Sequence, residues 1–69
     1  MPLGMMETGV KRKIRKVSGK DKTRRFLESL GFVPGAEVSV VSELGGNMIV
    51  NVKDSRVAID RELARCILV

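Results

Sequence analysis

Apolar residues in this chain recur at two different spacings, and the change between them divides it into elements. From residue 37 the spacing is two: Glu37-Val38-Ser39-Val40-Val41-Ser42 places Val38 and Val40 inward, and Met48-Ile49-Val50-Asn51-Val52 places Met48, Val50 and Val52 on one face. Alternation of this kind predicts half-buried strands. Gly45-Gly46-Asn47 lies between them and predicts a tight hairpin, because glycine accepts positive φ. Asp54-Ser55 predicts a second turn and Ser55-Arg56-Val57-Ala58-Ile59 a third strand. Between about 20 and 30 the spacing becomes three: Leu27 and Leu30, joined by Phe26, predict one apolar helix face, with Ser18 or Asp21 as the cap.

The helix has a defined end. Gly31 falls where a helix closes on a left-handed residue, Phe32 follows to fold back on the apolar side, and Pro34-Gly35 suits the centre of a type II turn. Upstream, residues 10–17 (Val-Lys-Arg-Lys-Ile-Arg-Lys-Val) predict a first strand. Ile14 and Val17 are three apart and cannot share a regular strand face, so a bulge is expected near Arg15-Lys16. Downstream, Asp60 is expected to cap one helical turn over residues 61–64, and Cys66-Ile67-Leu68-Val69 to form a last short strand. The sum is a mainly β fold with one α-helix: about five short antiparallel strands, curled or closed so that few edges stay open.

With 69 residues the chain is one small domain, residues 1–69, and such a domain buries only about 60% of its unfolded surface. A hydrophobic content of 43% supports a globular core, yet Phe26 and Phe32 are the only aromatics and both are expected inside. The single Cys66 excludes an internal disulfide and is expected as a small buried hydrophobe. No apolar run approaches the roughly 20 residues of a membrane span, and no secretion signal is read, so the expectation is a cytoplasmic protein.

Charge separates along the chain. Residues 1–25 hold nine of the thirteen Lys/Arg and two of the eight Asp/Glu, within a net charge of +5. Such asymmetry predicts a basic face for phosphates, acidic lipid or an acidic protein surface. Alternation puts Lys11, Lys13 and Arg15 on one side of the first strand and Arg12, Ile14 and Lys16 on the other, so the run need not be one patch. The chain has no histidine, no Gly-x-x-x-x-Gly-Lys-Ser/Thr and no Ser/His/Asp set. No catalytic residue is assigned, and no cofactor.

Several stretches together resemble the FeoA family, the small component of bacterial ferrous iron transport. They are Leu3 and Gly9, Ile14 and Val17, Arg24 with Leu27-x-x-Leu30-Gly31-Phe32-x-Pro34-Gly35, Val38-x-Val40-Val41, Gly45-Gly46-Asn47-x-Ile49-Val50, Arg56-Val57-Ala58-Ile59, and Leu63-Ala64-x-x-Ile67-x-Val69. Thr8 stands where many relatives have proline, and Arg12 lies where they have a nearby glycine. The resemblance implies a small SH3-like β-barrel and an accessory, non-enzymatic role. The expected partner is the cytoplasmic GTPase region of the large FeoB-type membrane permease, with membrane contact only peripheral, through that permease. A similar domain ends some metal-dependent repressors, but no DNA-binding helix-turn-helix is read ahead of it here.

Metal ligation by the chain itself is not expected. Cys66 and scattered carboxylates are poor material for a ferrous site, Asp54, Asp60 and Glu62 read as turn and cap residues, and Met5 and Met6 read as plugs of one barrel end. The candidate partner-binding residues are Lys20, Lys22, Arg24 and Arg25, with Leu44 and Met48 at the edge of a groove between helix and hairpin. The plainer reading of each is a solvated surface, turn or core residue. Nucleic-acid binding through phosphate contacts is the competing function. Poverty in aromatics counts against base stacking, as it does against a proline-peptide groove.

Overall fold

The computed structural model describes residues 1–69. After a 3-10 turn at Leu3–Met5 come β1 (Lys11–Lys13), β2 (Lys16–Val17), α1 (Asp21–Ser29), β3 (Glu37–Leu44), β4 (Asn47–Val52), β5 (Ser55–Asp60), α2 (Arg61–Arg65) and β6 (Ile67–Leu68). All pairing is antiparallel. Strands β1-β3-β4-β5 form one sheet in that order, and β2-β6 form a separate ladder. The sheets are not closed into the expected barrel.

The reason lies in the first strand. A bulge was expected to reconcile Ile14 with Val17; instead the chain changes partners. The Ile14 N–H donates to the Ala36 carbonyl (2.8 Å) and the Ile14 carbonyl accepts from the Gly35 N–H (2.8 Å), whereas the next residue, Arg15, donates to the Leu68 carbonyl (2.7 Å). One strand thus becomes two that serve different sheets, and Ile14 is buried at the crossover.

Helix α1 ends as its sequence predicts. The Gly31 N–H donates to the Glu28 carbonyl (2.9 Å) and the Phe32 N–H reaches back to the Leu27 carbonyl (3.0 Å), the paired bonds of a Schellman closure. This needs Gly31 at φ +104°, where a side chain is strained. Pro34-Gly35 then makes the type II turn, with Gly35 at φ +88° and the Ala36 N–H on the Val33 carbonyl (3.0 Å). The start of α1 differs from expectation. Lys20 is the cap residue and makes no side-chain cap bond; the Ser18 hydroxyl donates to the Cys66 carbonyl and Asp21 pairs with Arg24.

The β3–β4 hairpin closes through Gly45-Gly46 as predicted, but β3 carries a bulge that alternation did not reveal. Val40 pairs with Val50 and Ser42 with Ile49, leaving Val41 extra. The insertion exchanges the faces of everything beyond it. Leu44 would otherwise continue the inward Val38, Val40 series, and it points to solvent, while Glu43 turns to the side of α2 and meets Arg61 at 3.1 Å. The second hairpin turns at Lys53-Asp54, one residue earlier than expected, with both at positive φ. Asp60 caps α2 as predicted, its side chain accepting from the Leu63 N–H at 2.8 Å.

The core is wholly apolar. Leu3, Met6, Ile14, Leu27, Phe32, Val38, Val40, Met48, Val50, Val52, Ile59, Ala64, Ile67 and Val69 fill it, and no polar side chain is buried. Met6 enters this core while Met5 is 71% exposed, so the expected pair of plugs is one plug. Phe26, expected inside with Phe32, is half exposed; Thr23, Leu27 and Leu30 instead make the inner face at i, i+4 and i+7. The two phenylalanines therefore separate by experiment. Urea unfolding should show Phe32→Ala losing about 3–5 kcal/mol, near the whole stability of so small a domain. Phe26→Ala should stay within about 0.5 kcal/mol of the parent, and Gly31→Ala should lose about 1–2 kcal/mol from backbone strain at an otherwise adaptable contact.

Candidate functional site

Three exposed regions remain once the core is assigned, and each follows from a local feature of the fold. The first is the outer face of α1. Lys22 and Phe26 are one turn apart, and Arg25 and Ser29 fall on the same side, opposite Leu27. Phe26 is thus a half-exposed aromatic with Lys22 one turn away on its side of the helix, while Arg25 lies about 100° further round. Of the predicted basic residues, Lys20 sits at the cap, Lys22 and Arg25 join this ridge, and Arg24 lies on the other flank, paired with Asp21. All four are exposed.

The predicted groove residues behave differently from one another. Leu44 is 69% exposed at the hairpin tip, free for contact. Met48 is only 1% exposed: it fills the core beneath the 3-10 turn, near Gly4, and offers no side-chain surface. The helix and hairpin edge therefore does not bring Leu44 and Met48 together as a surface pair. The bulge at Val41 and the inward series Met48, Val50, Val52 account for the difference.

The second region is a shallow polar groove of about 240 Å³ on the outside of the large sheet. Lys11, Glu37, Ser39, Asn51, Lys53 and Asp54 line it. Its charges are mixed, two cations against two carboxylates, so it carries no net preference for an anion. The third is an apolar hollow of about 190 Å³ formed by Met1, Met5 and Val10 with Glu7 and Arg12 at its rim. Lys11 and Arg12 thus open onto different regions, as strand alternation predicts, and the basic run is not one patch.

No three His, Cys, Asp or Glu side chains converge as a metal site would require. Cys66 is half-buried and its thiol lies 3.6 Å from the Glu62 carbonyl. No helix is long and apolar enough to cross a membrane. Sequence reasoning missed Phe26 and the Met1-Met5-Val10 hollow. The helix does carry a signal for the first: Thr23 continues the Leu27-Leu30 stripe one turn earlier, and a stripe centred there leaves Phe26 at its edge.

The FeoA domain family matches residues 1–69. A search of curated proteins by sequence returns no match. Among solved structures, the iron uptake regulatory protein FeoA is 31% identical, with 97% of this chain and 91% of that one covered and a TM-score of 0.89. FeoA of Stenotrophomonas maltophilia, solved with zinc and described as a prokaryotic SH3-domain protein, is 28% identical over 99% of this chain and 87% of its own, with a TM-score of 0.85. A manganese-dependent transcriptional repressor shares the fold (TM-score 0.87) at 18% identity, with 39% of its length covered. The mainly β arrangement with two helices is accordingly a small SH3-like fold. The chain belongs to the FeoA family, which is associated with ferrous iron transport.

Proposed function

We propose that this chain is a non-catalytic accessory protein of bacterial ferrous iron uptake, acting in the cytoplasm by binding the GTPase-bearing region of a FeoB-type permease. The observation that carries this reading is the family match across all 69 residues, together with a FeoA neighbour whose own length is 91% covered. The Stenotrophomonas protein is described as a candidate activating factor for ferrous iron transport, which fits an accessory role here.

The ridge on α1 is the docking surface this reading favours. An aromatic side chain buried at an interface contributes strongly to affinity, and cations beside it steer an acidic partner and speed encounter. Phe26 would supply the anchor, with Lys22 and Arg25 as the steering charges and Lys20 and Arg24 at the margin. Leu44, on the hairpin tip, is a second apolar contact point.

Phe26 also lends weight to a second reading, nucleic-acid binding. An exposed aromatic on a basic helix is the combination on which single-stranded bases stack, and it replaces the view of both phenylalanines as core. Two measurements separate the readings. Titration of the purified permease GTPase region should give saturable binding that Phe26→Ala weakens about tenfold or more and that Lys22→Glu with Arg25→Glu slows in association. Absence of binding would overturn the accessory reading. Fluorescence titration with mixed-sequence oligonucleotides at two salt concentrations should show no micromolar binding; affinity that is micromolar and falls steeply with salt would favour the nucleic-acid reading.

A further inference from the structure

Strand β5 ends the large sheet, and its outer side pairs with nothing. The two-residue turn at Lys53-Asp54 makes Val52 and Ser55 the first bonded pair of the hairpin, so Ser55, Val57 and Ile59 direct their backbone groups to β4. Arg56 and Ala58 direct both of theirs away from it, and Asp60 directs its N–H away while its carbonyl serves the first turn of α2. No backbone bond outside the ladders and helices involves the N–H of Arg56 or Ala58.

The same three residues are exposed on the outer face, in the order cation, small residue, anion. Arg56 has no ion-pair partner, and Asp60 uses one carboxylate oxygen to cap α2, leaving the other free. The pattern is its own complement under a two-fold axis. In an antiparallel pairing centred on Ala58, Ala58 exchanges two backbone bonds with Ala58 of the other copy, and Arg56 stands opposite Asp60, twice, with the Asp60 N–H donating to the Arg56 carbonyl. The side chains of each Arg56–Asp60 pair then stand directly opposite on one face, the arrangement in which cross-strand charge pairs interact. The Ala58 side chains at the centre leave the backbones unobstructed. A parallel pairing in register would set Arg56 against Arg56 and Asp60 against Asp60, so the charges select one direction.

We propose that the free edge of β5 is an interface with a second copy of this chain, joined antiparallel about Ala58 so that Arg56 of each copy faces Asp60 of the other. The contact is isologous and closes as a dimer, with no edge of β5 left to propagate. Because it rests on a single strand pair, it belongs to the weak, concentration-dependent class of interfaces. It is independent of the permease reading, and binding to the permease could fail without affecting it.

Sedimentation velocity under reducing conditions, up to about 1 mM protein, tests the interface at the affinities expected of it. The parent chain should shift from monomer to dimer across the range, and the Ala58 amide should gain protection from hydrogen exchange as concentration rises. Ala58→Pro removes only an N–H that the monomer leaves unpaired and is tolerated on an edge strand, so it should fold, by circular dichroism, and stay monomeric. Arg56→Asp alone should stay monomeric, as should Asp60→Arg. Their equimolar mixture should recover dimer, since positions 56 and 60 then carry opposite charges across both cross-strand pairs of the mixed dimer. A parent chain that is monomeric throughout, or folded Ala58→Pro and Arg56→Asp chains that dimerise like the parent, would overturn the proposal.

Discussion

The bond from the Phe32 N–H to the Leu27 carbonyl closes the longer helix and turns the chain back into the core that Leu27 and Phe32 share with the sheet. Its geometry requires Gly31 in the left-handed region, and its result is that the chain reverses sharply enough for Phe32 to enter the core from the helix end. Two residues later the Pro34-Gly35 turn launches β3, and the same turn supplies the partners of Ile14. The first strand can transfer from one sheet to the other only because Gly35 and Ala36 present a donor and an acceptor at the crossover. Helix, turn and strand exchange therefore share one corner of about ten residues, and the apolar core closes around it.

Much of this corner was legible in the sequence because its residues are chemically restrictive. Gly31, Pro34 and Gly35 permit few conformations, Asp60 can cap only a helix that starts just after it, and Gly45-Gly46 selects a two-residue hairpin. What remained hidden depends on tertiary pairing. Val41 looks like an ordinary strand residue, and nothing local says that it will go unmatched; the exposure of Leu44 and the turn of Glu43 toward α2 follow from that mismatch. The break after Ile14 is similar, since its cause is β6, more than fifty residues away. Barrel closure failed as an expectation for the same reason: alternation gives strand faces, while the assignment of strands to sheets is settled by partners the pattern does not contain.

Function was less legible than fold because the interior holds no polar group and the surface holds many. A catalytic site announces itself by unusual residues in an enclosed place; this chain has neither histidine nor a buried charge. Cations, one exposed aromatic and an exposed hairpin leucine are distributed over a rigid scaffold, and the count of basic residues says little until their directions are known. Arg24 and Arg25 are neighbours in sequence yet point in different directions around α1, one paired with Asp21 and the other without an ion-pair partner.

The two hairpins differ in a way that bears on how the chain tolerates change in length. The Lys53 side chain lies against Gly31, so the Lys53-Asp54 turn is wedged beside the helix end, and an added residue there would disturb both the reversal and the phase of β5. Around Gly45 and Gly46 there is open space. Insertions, fluorescent labels or fused segments placed at that tip would extend into solvent without changing the pairing below it, which makes the Gly45-Gly46 loop the natural handle by which this small domain can be marked or tethered.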